Sequence, residues 1–379
     1  MKINMTLAQA YGRASKRLRR KMEYSISLLR KAEKLALAYD TRGGYYLAFS
    51  GGKDSQALIH IAQLAGVHFE GHMNLTSVDP PEVIRFVKRE YPEVELIKPK
   101  DSIYHVALRK QLLPTKKVRW CCEEFKEKAG AGKVTLIGIR HQESRNRAKR
   151  NEVEISNYSF SGDLKAFEKF RKEKLSATKS PSTRKKGEVN ITNAKEEKTI
   201  GCISGKETLL ISPIIHWTER DVWEFLTKVV QVPHCELYDQ GFTRIGCICC
   251  PMSPPRQKTV ENERWPHVRR NWIKAIIAIR SGGGYCKERL PQQTLWYGIG
   301  KDWKPIRWGK DRQLRVHPTS RPEPLESGFS DCSSPDGLTD EQEQEIAGNI
   351  FDWWISGKAY KKWYAEKFLQ YELEFKGWL

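Results

Sequence analysis

The sequence predicts an α/β fold, a doubly wound parallel sheet, and three observations carry that prediction. Short apolar runs of strand length recur between residues 41 and 255, and stretches of helical period separate them. The first run, Tyr45-Tyr46-Leu47-Ala48-Phe49, is bounded by Gly43-Gly44 before it and by Ser50-Gly51-Gly52 after it. Strands that alternate with helices argue for a parallel sheet covered on both faces. A continuous apolar run between glycine turns suits a strand buried within such a sheet.

The elements follow in order. Residues 1–40 read as a helical segment, with Leu28, Leu29, Ala32, Leu35 and Ala36 at i, i+3, i+4 spacing and basic side chains on the other face. After the strand at 45–49 comes a helix over 55–65, then a strand near Phe69–Asn74, a helix over Pro81–Glu90 and a strand near 94–97. A helix near 123–129 precedes the apolar strand 134–139, and 209–215 is a further strand. Thr218, with Asp221 at the third helical position, opens a helix over 219–229. Between about 160 and 200 the chain turns rich in Lys, Ser and Thr, which reads as a flexible basic insertion. Residues 256–379 form a basic, Trp-containing helical region whose last helix, over 341–375, carries Phe351, Trp353, Trp354, Tyr360, Trp363 and Tyr364. The expected division is thus 1–40, 41–255 and 256–379.

Composition narrows the class. Of 379 residues, 39% are hydrophobic and 30% charged, the range of an ordinary globular chain tilted polar. No window approaches the roughly 20 apolar residues of a membrane span, and the basic N-terminus lacks the apolar core of a secretory signal. A cytoplasmic protein without a membrane partner is expected. Nine cysteines, an odd number, in a reducing compartment more often bind metal or do chemistry than form bridges. The net charge of +20 implies polyanionic company: nucleotide, RNA, DNA or an acidic protein.

The segment Ser50-Gly51-Gly52-Lys53-Asp54-Ser55 lies between a strand and a helix. Such a junction presents backbone N–H groups and a helix N-terminus to an anion. The glycines let backbone approach phosphate oxygens, Lys53 supplies a point charge, and Ser50 and Ser55 add hydroxyl donors. A Walker A loop needs G-x-x-x-x-G-K-[ST], which this is not. The hexapeptide resembles instead the PP-loop, S-G-G-x-D-S, of the ATP pyrophosphatase superfamily.

Further segments are similar to the phosphoadenosine phosphosulfate (PAPS) and adenosine phosphosulfate (APS) reductase family. They are Arg119-Trp120-Cys121-Cys122 with Lys126; Gly138-Ile139-Arg140-His141-Gln142-Glu143-Ser144 with Arg147; Ser212-Pro213-Ile214 through Trp223; and Pro233-His234 through Cys250-Pro251. The resemblance covers roughly residues 40–255. It implies an adenine nucleotide alpha-hydrolase-like sheet with a nucleotide pocket at the carboxyl ends of its strands. Lys53, Asp54 and Ser55 would form the catalytic set. The same three residues, with Ser50, Gly51, Gly52, Gly138, Arg140 and Arg147, would hold ATP, PAPS or APS. Asp79 is a further contact in the same crevice, or else a turn or helix-capping residue before Pro80-Pro81.

The resemblance also implies that Cys121, Cys122, Cys247 and Cys250 hold a [4Fe–4S] cluster; the alternatives are zinc, and no metal with Cys121 or Cys122 as a buried small hydrophobe. Four soft thiolates select iron–sulfur or zinc. Cys235 and Cys249 compete for the same role, whereas Cys202, Cys286 and Cys332 are scattered. The reductases attack with a cysteine in a Glu-Cys-Gly-type motif near the C-terminus, and no cysteine follows Cys332 here. The expected activity is therefore cleavage of ATP at the α-phosphate, with Mg²⁺, coupled to sulfur transfer from a donor protein. Arg264, Arg269, Arg270, Lys274 and Arg280, interleaved with Trp265 and Trp272, point to tRNA or DNA as acceptor, against the reading of a solvated helix face with its tryptophans in the core. The alternatives are a sulfonucleotide reductase served by a thioredoxin-like protein and a non-catalytic nucleotide-binding regulator.

Overall fold

A computed structural model describes residues 3–157 apart from 41, 117 and 128, together with 189–193, 196–200, 207–280, 339–358 and 363. In chain order the elements are α1 (Leu7–Arg13), α2 (Lys16–Tyr39), β1 (Tyr45–Ala48), α3 (Lys53–Ala65), β2 (Phe69–Asn74), α4 (Pro81–Glu90), β3 (Glu95–Ile97), α5 (Ile103–Lys110) and α6 (Trp120–Cys122). Then come β4 (Val134–Leu136), β5 (Val153–Asn157), β6 (Val189–Asn193), β7 (Glu196–Ile200), β8 (Glu207–Ile211), α7 (Glu219–Glu224), α8 (Pro255–Arg264), α9 (Pro266–Arg280) and α10 (Asp340–Ser356).

The main sheet has six strands in the order β3-β2-β1-β4-β8-β5. All neighbours are parallel except β5, which runs antiparallel to β8. From β1 the chain winds outward to β2 and β3, then returns to place β4 on the other side of β1. The sheet is doubly wound, as the alternation predicts, and its switch point lies between β1 and β4. Open α/β sheets bind ligands at the carboxyl ends of their strands at such a point. The antiparallel β5 was not foreseen. Within the stretch read as a flexible insertion, β6 and β7 pair as an antiparallel hairpin. The remainder of that stretch, and of the helix expected over 341–375 beyond residue 358, lies outside the described residues.

The chain divides into two compact units. The first comprises residues 1–75, 79–98 and 122–246; the second comprises 76–78, 99–121 and 247–379. In the first, Tyr45 and Leu47 of β1 are buried, and α3 buries Leu58, Ile59, Ile61 and Ala62 against the sheet side of the core. The segment read as one helix is two: Thr6 and Ser15 each cap a new start, their hydroxyls accepting from Gln9 N and Leu18 N. Helix α2 is anchored by polar bonds as well as apolar ones. Ser25 Oγ donates to Pro213 O at 2.7 Å, Tyr45 Oη donates to Leu29 O at 2.7 Å, and Lys21 Nζ meets the buried Asp221 at 2.6 Å. Thr218 and Asp221 form the expected capping box at α7, which passes into a π-helical turn over Phe225–Val229.

The second unit packs around aromatic side chains of α9 and α10. The Trp272 and Trp354 rings lie 4.9 Å apart, Tyr104 meets Trp272 edge-on at 4.9 Å, and Trp354 Nε1 donates to Pro114 O at 2.6 Å. Trp265 and Trp272 are therefore core residues and offer no stacking platform for bases. Among the described residues no helix is long and apolar enough to cross a membrane.

Candidate functional site

The loop that leaves β1 is shaped by its own hydrogen bonds. Ser55 Oγ donates to Gly52 O at 2.8 Å and accepts from Ser50 N at 3.2 Å, closing the turn across the start of α3. Gly51 has φ +70°, in the left-handed region, and a Cβ there would stand 2.7 Å from Val83 Cγ1 and 2.9 Å from Val87 Cγ2 of α4. Both requirements exclude a side chain. Gly52 is the N-cap of α3 and offers no side-chain acceptor, and the first N–H of that helix, on Lys53, is taken up by Tyr238 Oη.

The neighbouring strand β4 closes in from the other side. A Cβ at Gly138 would meet Asp54 O at 3.0 Å, so the backbone that leaves β4 runs directly against the first turn of α3. Two residues on, Arg140 is 4% exposed, and its Nε donates to Asp54 Oδ1 at 2.6 Å. Glu143 steadies this arm: Oε1 accepts from Arg140 N at 2.7 Å, and Oε2 pairs with Arg147 Nη1. The structure thus brings Ser50, Gly51, Gly52, Lys53, Asp54, Ser55, Gly138 and Arg140 together at the switch point, with Arg147 joined through Glu143. Asp79 is half-buried after β2, the strand on the other flank of β1. The N-cap position of α4 is Pro80, with no side-chain cap bond.

Three residues to which sequence reasoning gave no role surround Lys53. Its Nζ donates to Thr243 O at 2.8 Å and lies 3.4 Å from Glu219 Oε1, and its N–H donates to Tyr238 Oη at 2.8 Å. Tyr238 and Thr243 fall in the motif stretch 233–251, which was the available signal.

The cysteines are arranged differently from the loop. Cys121 and Cys122 form α6, and Cys247 and Cys250 flank a turn in which Cys250 N donates to Cys247 O at 3.3 Å. Cys247 Sγ lies 3.4 Å from Thr76 Oγ1. Among the described residues, no three Cys, His, Asp or Glu side chains gather as a metal-holding group. Of the competitors, Cys249 is buried, its thiol donates to Asn262 Oδ1 at 3.0 Å, and burial pushes its pKa up to about 12. Cys235 is fully buried in the core of the first unit. Cys202, Cys286 and Cys332 lie outside the described residues.

The family described as phosphoadenosine phosphosulfate reductase domain matches residues 44–253. An uncharacterized protein of Methanocaldococcus jannaschii is 26% identical over 238 residues, which is 60% of this chain and 46% of that protein. The chain thus spans about half the length of such curated relatives. The adenosine 5'-phosphosulfate reductase of Shouchella clausii is 36% identical over 55 residues, 14% of this chain and 22% of that one. The crystal structure of the phosphoadenylyl-sulfate reductase of Candida auris, a phosphate complex, aligns with a TM-score of 0.33 and 15% identity over 62% of this chain and 96% of that chain.

Proposed function

The chain belongs to the phosphoadenosine phosphosulfate reductase domain family, and from that premise we propose that it is a PP-loop enzyme that cleaves ATP at the α-phosphate and couples the cleavage to sulfur transfer onto a nucleic acid. The observation that carries the reading is the Asp54–Arg140 ion pair at the switch point, beside the N-terminal turn of α3.

In this proposal the residues divide the work. The first amides of α3 and the positive end of its dipole bind the phosphates and stabilise the charge that develops as pyrophosphate leaves. Asp54 holds the Arg140 guanidinium by Nε, which leaves further N–H groups of the fork for phosphate oxygens. Gly51, Gly52 and Gly138 let backbone come as close as backbone–phosphate contact requires. Mg²⁺ would arrive on the nucleotide, since it is commonly held by substrate phosphates with few protein ligands. Cys121, Cys122, Cys247 and Cys250 would hold a [4Fe–4S] cluster, a reading that the sequence pattern supports. Support for a polyanionic acceptor comes from exposed Arg256, Arg264, Arg270 and Lys274 on α8 and α9, together with the net charge of +20.

The test is pyrophosphate release from ATP with and without added tRNA or DNA fragments. Release that grows with nucleic acid and needs a sulfur donor is the expected result. Sulfite release from APS or PAPS with a thioredoxin-like reductant would replace it with the reductase reading. Tight nucleotide binding without turnover of any of these would leave a regulatory protein.

A further inference from the structure

Lys53 carries the loop's ammonium, yet that charge is already engaged. Nζ is held by Thr243 O and Glu219 and lies 5.4 Å from the centre of the Tyr238 ring, and the residue is only 4% exposed. Tyr238 reaches further into the loop. Its Oη accepts the Lys53 N–H at 2.8 Å, and a Cβ on Gly52 would stand 3.3 Å from the same oxygen. The phenol therefore sits in the first turn of α3, among the amides that face a phosphate.

A phenolic oxygen both accepts and donates. Desolvation raises the Tyr238 pKa, so the proton stays on the oxygen. Among the described residues that O–H is given no acceptor, since the only bond to Tyr238 Oη comes from Lys53 N. Its ring is fixed by an edge-on contact with Trp223 at 5.1 Å, so the hydroxyl is held in place without a second hydrogen bond.

We infer that Tyr238 is a phosphate-contacting residue of this site, and that Lys53 passes from Glu219 and Thr243 to the ligand's phosphate when nucleotide binds. The inference rests on the nucleotide reading above and adds two residues to it. The exchange is feasible because the partners are unequal. Glu219 is about half exposed, which makes its pair with Lys53 weak. A phosphate offers charge-assisted bonds of roughly twice the strength of neutral ones, and the flexible lysine stem can swing its three donors to meet it. Glu219 acts through Lys53, so it is a positioning residue.

The experiment compares ATP with adenosine, which lacks phosphate, in the wild type, Tyr238→Phe and Glu219→Gln. Calorimetry reads ATP, and ligand-observed NMR reads adenosine. Tyr238→Phe should weaken ATP about two- to tenfold and leave adenosine unchanged. Glu219→Gln should strengthen ATP about two- to fivefold and again leave adenosine unchanged. A purely structural tyrosine would weaken both ligands alike, and a purely structural glutamate would not strengthen either. Either of those results overturns the inference while the nucleotide reading stands; failure of the wild type to bind ATP removes both. Should Tyr238→Phe not fold, Glu219→Gln decides alone.

Discussion

Arg140 Nε lies 2.6 Å from Asp54 Oδ1, a bond that joins the arm leaving β4 to the first turn of α3. The two strands that frame the switch point thereby share one ion pair. Arg140 is nearly buried and Asp54 only partly exposed, so the pair is poorly screened. Arg140→Lys keeps the charge and loses the planar fork. It should cost about 1–3 kcal/mol of ATP binding, measured by calorimetry, with the sheet intact by circular dichroism. Unchanged affinity would show that the pair does not frame the site.

Gly51 tests whether the turn is the shape-determining part of the loop. Gly51→Ala must adopt φ +70° and place a methyl group against Val83 and Val87. Left-handed backbone costs about 1–2 kcal/mol, and overpacking adds about 1–3 kcal/mol. Gly66 has the same φ of +70° with nothing within 4 Å of its Cβ position. Gly66→Ala should therefore show the backbone part alone. Urea denaturation of both variants separates the two contributions, and equal losses would argue against the contact with α4.

His60 makes the helix behind the loop sensitive to acid. It is fully buried on α3, with Nδ1 facing Gln63 Oε1 and Nε2 facing Tyr91 Oη, each at 2.9 Å. Burial pulls its pKa down from 6.5 to about 4. As pH falls, the unfolded chain takes the proton first, near 6.5, whereas the folded chain resists until about 4. The stability linked to His60 is thus complete above pH 6.5 and is lost on acidification between those values, with a slope of about one proton. His60→Gln should flatten the unfolding free energy over that window. An identical slope in wild type and variant would remove the assignment.

The cysteines give a prediction about metal. If Cys121, Cys122, Cys247 and Cys250 hold a cluster, anaerobically purified protein should be coloured and contain iron. The colour should vanish in Cys247→Ala and in Cys250→Ala and persist in Cys249→Ala, whose thiol is buried and bonded to Asn262 Oδ1. A colourless protein with stoichiometric zinc would point to the other metal, and one with neither would assign the thiols to packing.

Local signals in the sequence were read well. The apolar run at 45–49, the glycine turn and the helix that follows stand as expected because each is specified by neighbours within a few residues. The same holds for the Thr218–Asp221 cap. What was illegible depends on distant partners. The break between α1 and α2 needs Ser15 to act as a cap, within a run whose period continues through it. Helix α5 lies in a stretch with only a weak pattern, and β5 is a strand because β8 pairs with it. Within the site, Glu219, Tyr238 and Thr243 reach Lys53 across more than 160 positions, which no spacing rule connects. For each of Trp265 and Trp272 alone the core is the better reading of the sequence, although the region as a whole suits a polyanion, and both rings are buried.

The margins of the main sheet have a consequence for solubility. One rim is β3, just three residues long, and its opening residue, Glu95, is an exposed carboxylate. A strand so short, carrying a charge, gives another chain little to hydrogen-bond against. On that rim the protein is guarded against edge-to-edge aggregation, and removing the guard, by extending β3 or neutralising Glu95, should make the concentrated protein precipitate more readily.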